Sequence, residues 1–281
     1  MLFRSEFMNW MRKNWTTILL VCILLLGVGI FAYPTFSDYW NSFHQSQAVT
    51  SYVENVANLD TEQYEALWNE AVAYNKKLAK NGIQWNMTDE EKAEYNKYLA
   101  VDDSGIMGYI DIPVIDCSLP IYHGTDESVL QVAIGHIEGS SLPVGGEGSH
   151  CVISGHRGLP SARLFTDLDK LVEGDIFILH TLDATLTYEV DQIRIVEPTD
   201  LSDLQIEEGK DYCTLVTCTP YGINTHRLLV RGHRIENQNA TDIRVSADAT
   251  QVDPVQVAPF IATPILIVLL IWVFVGGRRK R

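Results

Sequence analysis

Positive charge is scarce in this chain: 21 Lys and Arg stand against 36 Asp and Glu in 281 residues, a net charge of −15. An acidic exterior repels a phosphate backbone, which excludes nucleic acid as a partner. It favours basic partners such as lysine-bearing protein surfaces, and it also serves solubility. Cysteine is scarce too. The five cysteines are an odd set that includes Cys22 within an apolar run, so a disulfide framework is excluded. Cys117, Cys151 and Cys213 sit among apolar, strand-like neighbours, where a cysteine serves as a small buried hydrophobe. Paired metal ligands are missing: His150 precedes His156 without a second ligand pair, which argues against zinc. Asp200, Asp203, Glu207 and Glu208 lack the spacing of a calcium loop and read as solvated surface. No metal or organic cofactor is expected.

Charge is absent from two long runs at the ends. Thr16 to Tyr33 would span about 27 Å as a helix and follows Arg4, Arg12 and Lys13. This reads as a signal-anchor over 16–33. A cleaved signal peptide is the alternative, but no Ala-x-Ala-like site follows Ile30-Phe31-Ala32-Tyr33-Pro34. Phe260 to Val275, within 259–276, is closed by Arg278-Arg279-Lys280-Arg281 and reads as a second transmembrane helix. Basic residues flank the outer side of both runs. The positive-inside rule therefore places 1–15 and the tail 277–281 in the cytoplasm and the intervening part outside the cell. The expected localisation is the cell membrane, spanned twice. A cell-wall sorting signal would need a Leu-Pro-x-Thr-Gly-like site before the second run, and Gln251-Val252-Asp253-Pro254-Val255-Gln256 supplies none.

Between the runs the hydrophobic period changes once. Over 34–104, Val49, Tyr52, Val53, Val56 and Leu59, then Tyr64, Leu67, Trp68, Ala71 and Val72, recur at helical spacing. Asp60 with Gln63 and Thr88 with Glu91 form capping-box patterns, and Gly82 is placed to end the helix between them. The third helix is expected to end near Leu99. After Gly105 the pattern becomes short runs of branched and aromatic residues separated by turns. Expected strands cover 106–112, 119–122, 150–154, 175–179, 185–190, 193–196, 212–217 and 228–231, with short helices near 127–133 and 162–171. These imply a closed or nearly closed barrel over 105–236, followed by a linker at 237–258.

One ordered set of residues carries chemistry. Cys218 ends a strand-like run and opens the turn Thr219-Pro220-Tyr221-Gly222, Arg227 heads the next strand, and His156 lies upstream in Ser154-Gly155-His156-Arg157. A thiol nucleophile, an acid/base and a fixed cation are the parts that acyl transfer from a peptide carbonyl requires. At reference pKa values only about 1% of such pairs would hold thiolate and imidazolium together, so proximity must raise that fraction or use it well. Arg227 cannot act as a base, and its planar fork suits a substrate carbonyl or the oxyanion formed on it. His226 is the rival to His156 as the acid/base.

The run Thr217-Cys218-Thr219-Pro220-Tyr221-Gly222-Ile223-Asn224-Thr225-His226-Arg227-Leu228-Leu229-Val230-Arg231-Gly232 resembles the active-site segment of class C sortases, the pilin-polymerising transpeptidases of Gram-positive bacteria. Gly108-Tyr109-Ile110-Asp111-Ile112-Pro113, Pro120-Ile121-Tyr122-His123-Gly124 and Ser154 to Pro160 agree with it, and the likeness spans roughly 50–235. The resemblance implies a mainly β protein with an eight-stranded sortase-type barrel, Cys218 as nucleophile, His156 as general acid/base and Arg227 as the oxyanion or orienting residue. It also implies cleavage of a Leu-Pro-x-Thr-Gly-like sorting signal between Thr and Gly through a thioacyl intermediate. The partners would be pilin or surface proteins bearing a C-terminal sorting signal, with a lysine amine of a second pilin as acceptor. Attachment of surface proteins to a cell-wall precursor amine is the alternative with the same chemistry. A hydrolytic protease and a non-catalytic extracellular receptor or scaffold are further readings. One departure is clear: many class C sortases block the empty site with a lid carrying Asp-Pro and an aromatic, and the only Asp-Pro here is Asp253-Pro254. Trp85, Asp102 or Asp103 could substitute as a plug, and weak or absent autoinhibition is the expectation.

Overall fold

The computed structural model describes residues 10–237, which divide into two units, 10–39 and 40–237. Helix α1 (Trp15–Ala57) begins in the first. Its apolar part is long and hydrophobic enough to cross a membrane, and none of that stretch is buried. The expected second membrane helix, the basic tail and nearly all of the linker lie outside the described residues.

In the second unit the helices form where the caps demand it. Helix α2 (Thr61–Asn81) starts at Asp60, whose side chain accepts from the Gln63 amide while the Gln63 side chain accepts from the Asp60 amide. It stops at Gly82, which takes a positive φ of 80°. Helix α3 (Asp89–Tyr95) opens on the Thr88/Glu91 box. It ends earlier than the expected Leu99, because Lys97 and Tyr98 close tighter turns onto Glu94 and Tyr95 and Leu99 adopts a φ of 57°. Buried polar groups pin α2 and the end of α1 to the barrel strands and their connections. The Tyr52 hydroxyl donates to Met107 O and accepts from the Leu182 amide, while Asn75 bonds both backbone groups of Leu142.

The strands are β1 (Ile106–Ile112), β2 (Cys117–His123), β3 (Ile134–His136), β4 (Ser149–Ser154), β5 (Ile176–Thr181), β6 (Ala184–Val196), β7 (Asp211–Thr219) and β8 (His226–Ile235). They close into a barrel in the order β1-β2-β3-β4-β7-β8-β6-β5. Inward side chains, among them Ile110, Ile121, Ile134, Ile153, Phe177, Leu215 and Val230, fill its centre.

Three further sequence expectations need correction. The runs at 185–190 and 193–196 are one strand, β6, whose pairing with β8 shifts register between Val190 and Gln192 and so carries the chain past the irregularity. The segment near 162–171 holds only a 3₁₀ turn, Leu168–Lys170. Of 127–133, only α4 (Glu127–Leu130) is helical, and the chain then enters β3, which the sequence reading lacks.

Candidate active site

Three neighbouring strands position the chemistry-bearing residues. β4 and β7 run parallel with Ser154 opposite Val216. The match continues past the end of β4, since the Gly155 amide donates to Val216 O and the Thr217 hydroxyl donates to Gly155 O at 2.8 Å. His156 and Cys218 are the next residues along these two segments. On the other side, β8 runs antiparallel to β7 and places Arg227 opposite Cys218. Cys218 therefore lies on the strand between an imidazole-bearing and a guanidinium-bearing segment.

Local sequence explains each placement. A Cβ on Gly155 would lie 2.7 Å from both Ile134 Cγ2 and Phe165 Cδ2, so only glycine lets the chain turn there and deliver His156. The Phe165 amide donates to His156 O and holds the residue from behind. On β7, side chains alternate: Cys213 and Leu215 belong to the barrel core, while Val216 packs in a separate apolar cluster on the outer face. Period two puts Cys218 on that outer face. The cysteine is half-buried. After Thr219 the chain turns through Pro220, whose carbonyl accepts from the Ile223 and Asn224 amides, and returns as β8. Arg227 Nη1 donates to His226 O at 3.2 Å, which fixes one edge of its fork.

Other groups separate from this set. His226 pairs with Thr219, lies 2.9 Å from the Thr225 hydroxyl through Nδ1 and has Nε2 3.5 Å from Glu197 Oε1. The remaining cysteines of the second unit are set in the fold. Burial pushes the Cys117 thiol up to about 12 and holds Cys213, opposite Cys151 across β4 and β7, well above the usual range. Among the described residues no cluster of His, Cys, Asp and Glu could hold a metal ion.

The three plug candidates divide. Trp85 packs in the outer cluster with Val152, Val216 and Leu229, on the strand face that leads to Cys218. Asp102 instead accepts from Asn55 Nδ2 at 2.5 Å and from the Ser104 amide at 2.7 Å, and Asp103 is exposed. Both precede β1, the strand diametrically opposite β7 in the barrel, so they are not brought to the cysteine.

Two features escaped the sequence reading. Glu127, at the start of α4, places Oε2 4.0 Å from His156 Nε2. Tyr221, beyond Cys218, leans over the segment that follows His156: a Cβ on Gly158 would meet its ring at 3.0 Å, and the Arg157 guanidinium lies 5.8 Å from the ring centre. Neither carries a spacing signal, because each contact joins loops far apart in the chain.

Comparison with known proteins bears on the same region. A family profile described as the sortase domain matches residues 110–235. Sortase D of Bacillus subtilis is 32% identical over 154 residues, covering 53% of this chain and 73% of that protein. Among solved structures, sortase C1 of Streptococcus agalactiae is 57% identical with a TM-score of 0.67, covering 68% of this chain and 100% of that one. Sortase C of Clostridium perfringens, solved with the C-terminal cell wall sorting motif, is 43% identical with a TM-score of 0.61 over 68% of this chain and 100% of that one.

Proposed function

From the premise that this chain belongs to the sortase family of cysteine transpeptidases, with class C sortases as its structural neighbours, we propose that Cys218, His156 and Arg227 are one catalytic set that joins pilins. The observation that supports the reading is the register from β4 through β7 to β8: Arg227 pairs with Cys218, and the β4–β7 pairing ends at Ser154 and Val216, two residues before His156 and Cys218.

In this reading the Cys218 thiolate attacks the Thr carbonyl of a Leu-Pro-x-Thr-Gly-like signal. The fork of Arg227 holds the carbonyl oxygen as it becomes an oxyanion. The C–N bond to Gly breaks, and the His156 imidazolium gives its proton to the departing amine. What stays is a thioester on Cys218. A lysine amine of the next pilin attacks it, the C–S bond breaks, and an isopeptide bond joins the two proteins. The substrates are thus pilins bearing a C-terminal sorting signal, and no step calls for a metal or cofactor.

The apolar start of α1 supports anchoring in the cell membrane, with 1–15 in the cytoplasm and the barrel outside. The second span over 259–276 completes this proposed topology.

The test is transpeptidation of a sorting-signal peptide onto a lysine-bearing peptide. Cys218→Ala and His156→Ala should abolish it. Arg227→Lys keeps the charge but loses the planar fork, and should lower kcat/KM by roughly a hundredfold. Full activity in Arg227→Lys would sink the role given to the fork.

A further inference from the structure

His156 is approached by one carboxylate that the reaction as written does not use. Glu127 lies at the start of α4, with Oε2 4.0 Å from His156 Nε2, and its side chain is 74% exposed against 29% for the histidine. Its orientation is set within its own element: Gln131 Nε2 donates to Glu127 Oε1, which leaves Oε2 turned to the imidazole. β3 fixes the element itself, because Ile134, just beyond the end of α4, packs against Gly155.

The chemistry of the second half-reaction gives this placement a use. At neutral pH a lysine side chain is almost entirely ammonium, so it must reach the thioester as a cation and shed a proton before attack. The cations next to His156 and across from Cys218 are the guanidinium groups of Arg157 and Arg227, which repel an ammonium. Arg157 is already engaged by Asp169, and Arg227 donates to the backbone of its own turn. Glu197, the carboxylate beyond β6, faces His226 instead. The incoming amine must also occupy the side of the thioester that the Gly amine left, because the same imidazole serves both.

We propose that Glu127 is the docking site for the acceptor ammonium, holding it between its Oε2 and His156 Nε2. This rests on the transpeptidase reading above. The ammonium passes one proton to neutral His156 and its nitrogen lone pair attacks the thioester carbonyl. A C–N bond forms and the C–S bond breaks. The second proton leaves to solvent, and Cys218 returns as thiolate beside the imidazolium.

The test compares two acceptors on the full-length chain in detergent, charged first with a Leu-Pro-x-Thr-Gly peptide. One is a lysine-bearing peptide, the other hydroxylamine, which is neutral at pH 7. In Glu127→Gln the ratio of lysine to hydroxylamine kcat/KM should fall roughly two- to fivefold, the effect of one solvent-exposed charge contact. In Glu127→Lys it should fall further, and added salt should lower the ratio in the unmodified chain. An unchanged ratio, including one in which both rates drop together, overturns the proposal, since Glu127 would then only orient His156. Failure of the unmodified chain to form any acyl-enzyme is a separate result that removes the transpeptidase reading itself.

Discussion

Gly155 links sequence to chemistry most directly at the scale of single residues. It has no side chain, yet its neighbours leave space for none, and the position of His156 follows from that. Gly155→Ala forces Ile134 or Phe165 aside. The expected loss is about 1–3 kcal/mol in stability, read by urea unfolding. In protein that still folds, kcat should fall and alkylation of Cys218 should slow, because the imidazole is displaced from the thiol. Unchanged kcat would show that His156 keeps its place without the glycine. At this scale the places of Cys218 near the end of β7 and Arg227 near the start of β8 were legible in the sequence, because the turn residues between two strand-like runs mark where one ends and the next begins. Glu127 and Tyr221 were not, since each acts across loops that no local pattern joins.

At the scale of elements, capping chemistry was fully legible: Asp60 and Thr88 start helices as their boxes require, and Gly82 ends one. β3 was not. Its three residues include Gly135, where a Cβ would sit 2.0 Å from Gly124 O, so a close backbone approach takes the place of any strand-like side-chain pattern. The same element ties α4 to the His156 segment. Trp85 raises a second question of elements, because it covers the outer faces of β4, β7 and β8 while Cys218, further along that face, stays half-buried. Removing residues 84–104 would also strip Tyr95 and Leu99 from the core, so the single substitution is the better probe of self-blocking. Trp85→Ala should cost about 2 kcal/mol of stability and raise the rate of Cys218 alkylation by a bulky reagent less than about threefold. A many-fold rise would make Trp85 an effective lid.

At the scale of the whole molecule, acid stability follows from buried histidines. Burial holds His123 and His150 below the ordinary histidine range, against the pull of backbone carbonyls that face their rings. The unfolded chain therefore takes up these protons more readily than the folded one. Their contribution is present above about pH 6.5 and is lost as pH falls through that value toward the folded-state pKa. Asp211, raised by burial, acts in the opposite sense. Tm should fall between about pH 7.5 and pH 5.5, and a flat profile would contradict the assignment. The barrel itself was legible as a class because short alternating runs imply closure, whereas the strand order, with β7 between β4 and β8, comes from long-range pairing. That order sets β7, which carries Cys218, between the strand that leads to His156 and the strand that carries Arg227.

The most direct test of the proposed catalytic set is the intact mass of the full-length chain in detergent after incubation with a Leu-Pro-x-Thr-Gly peptide, with Cys218→Ala as control. An added acyl mass is expected on the unmodified chain, absent from Cys218→Ala and released by hydroxylamine. No adduct on a Cys218 that still alkylates freely, or an adduct that persists in Cys218→Ala, would contradict the proposed role of this cysteine.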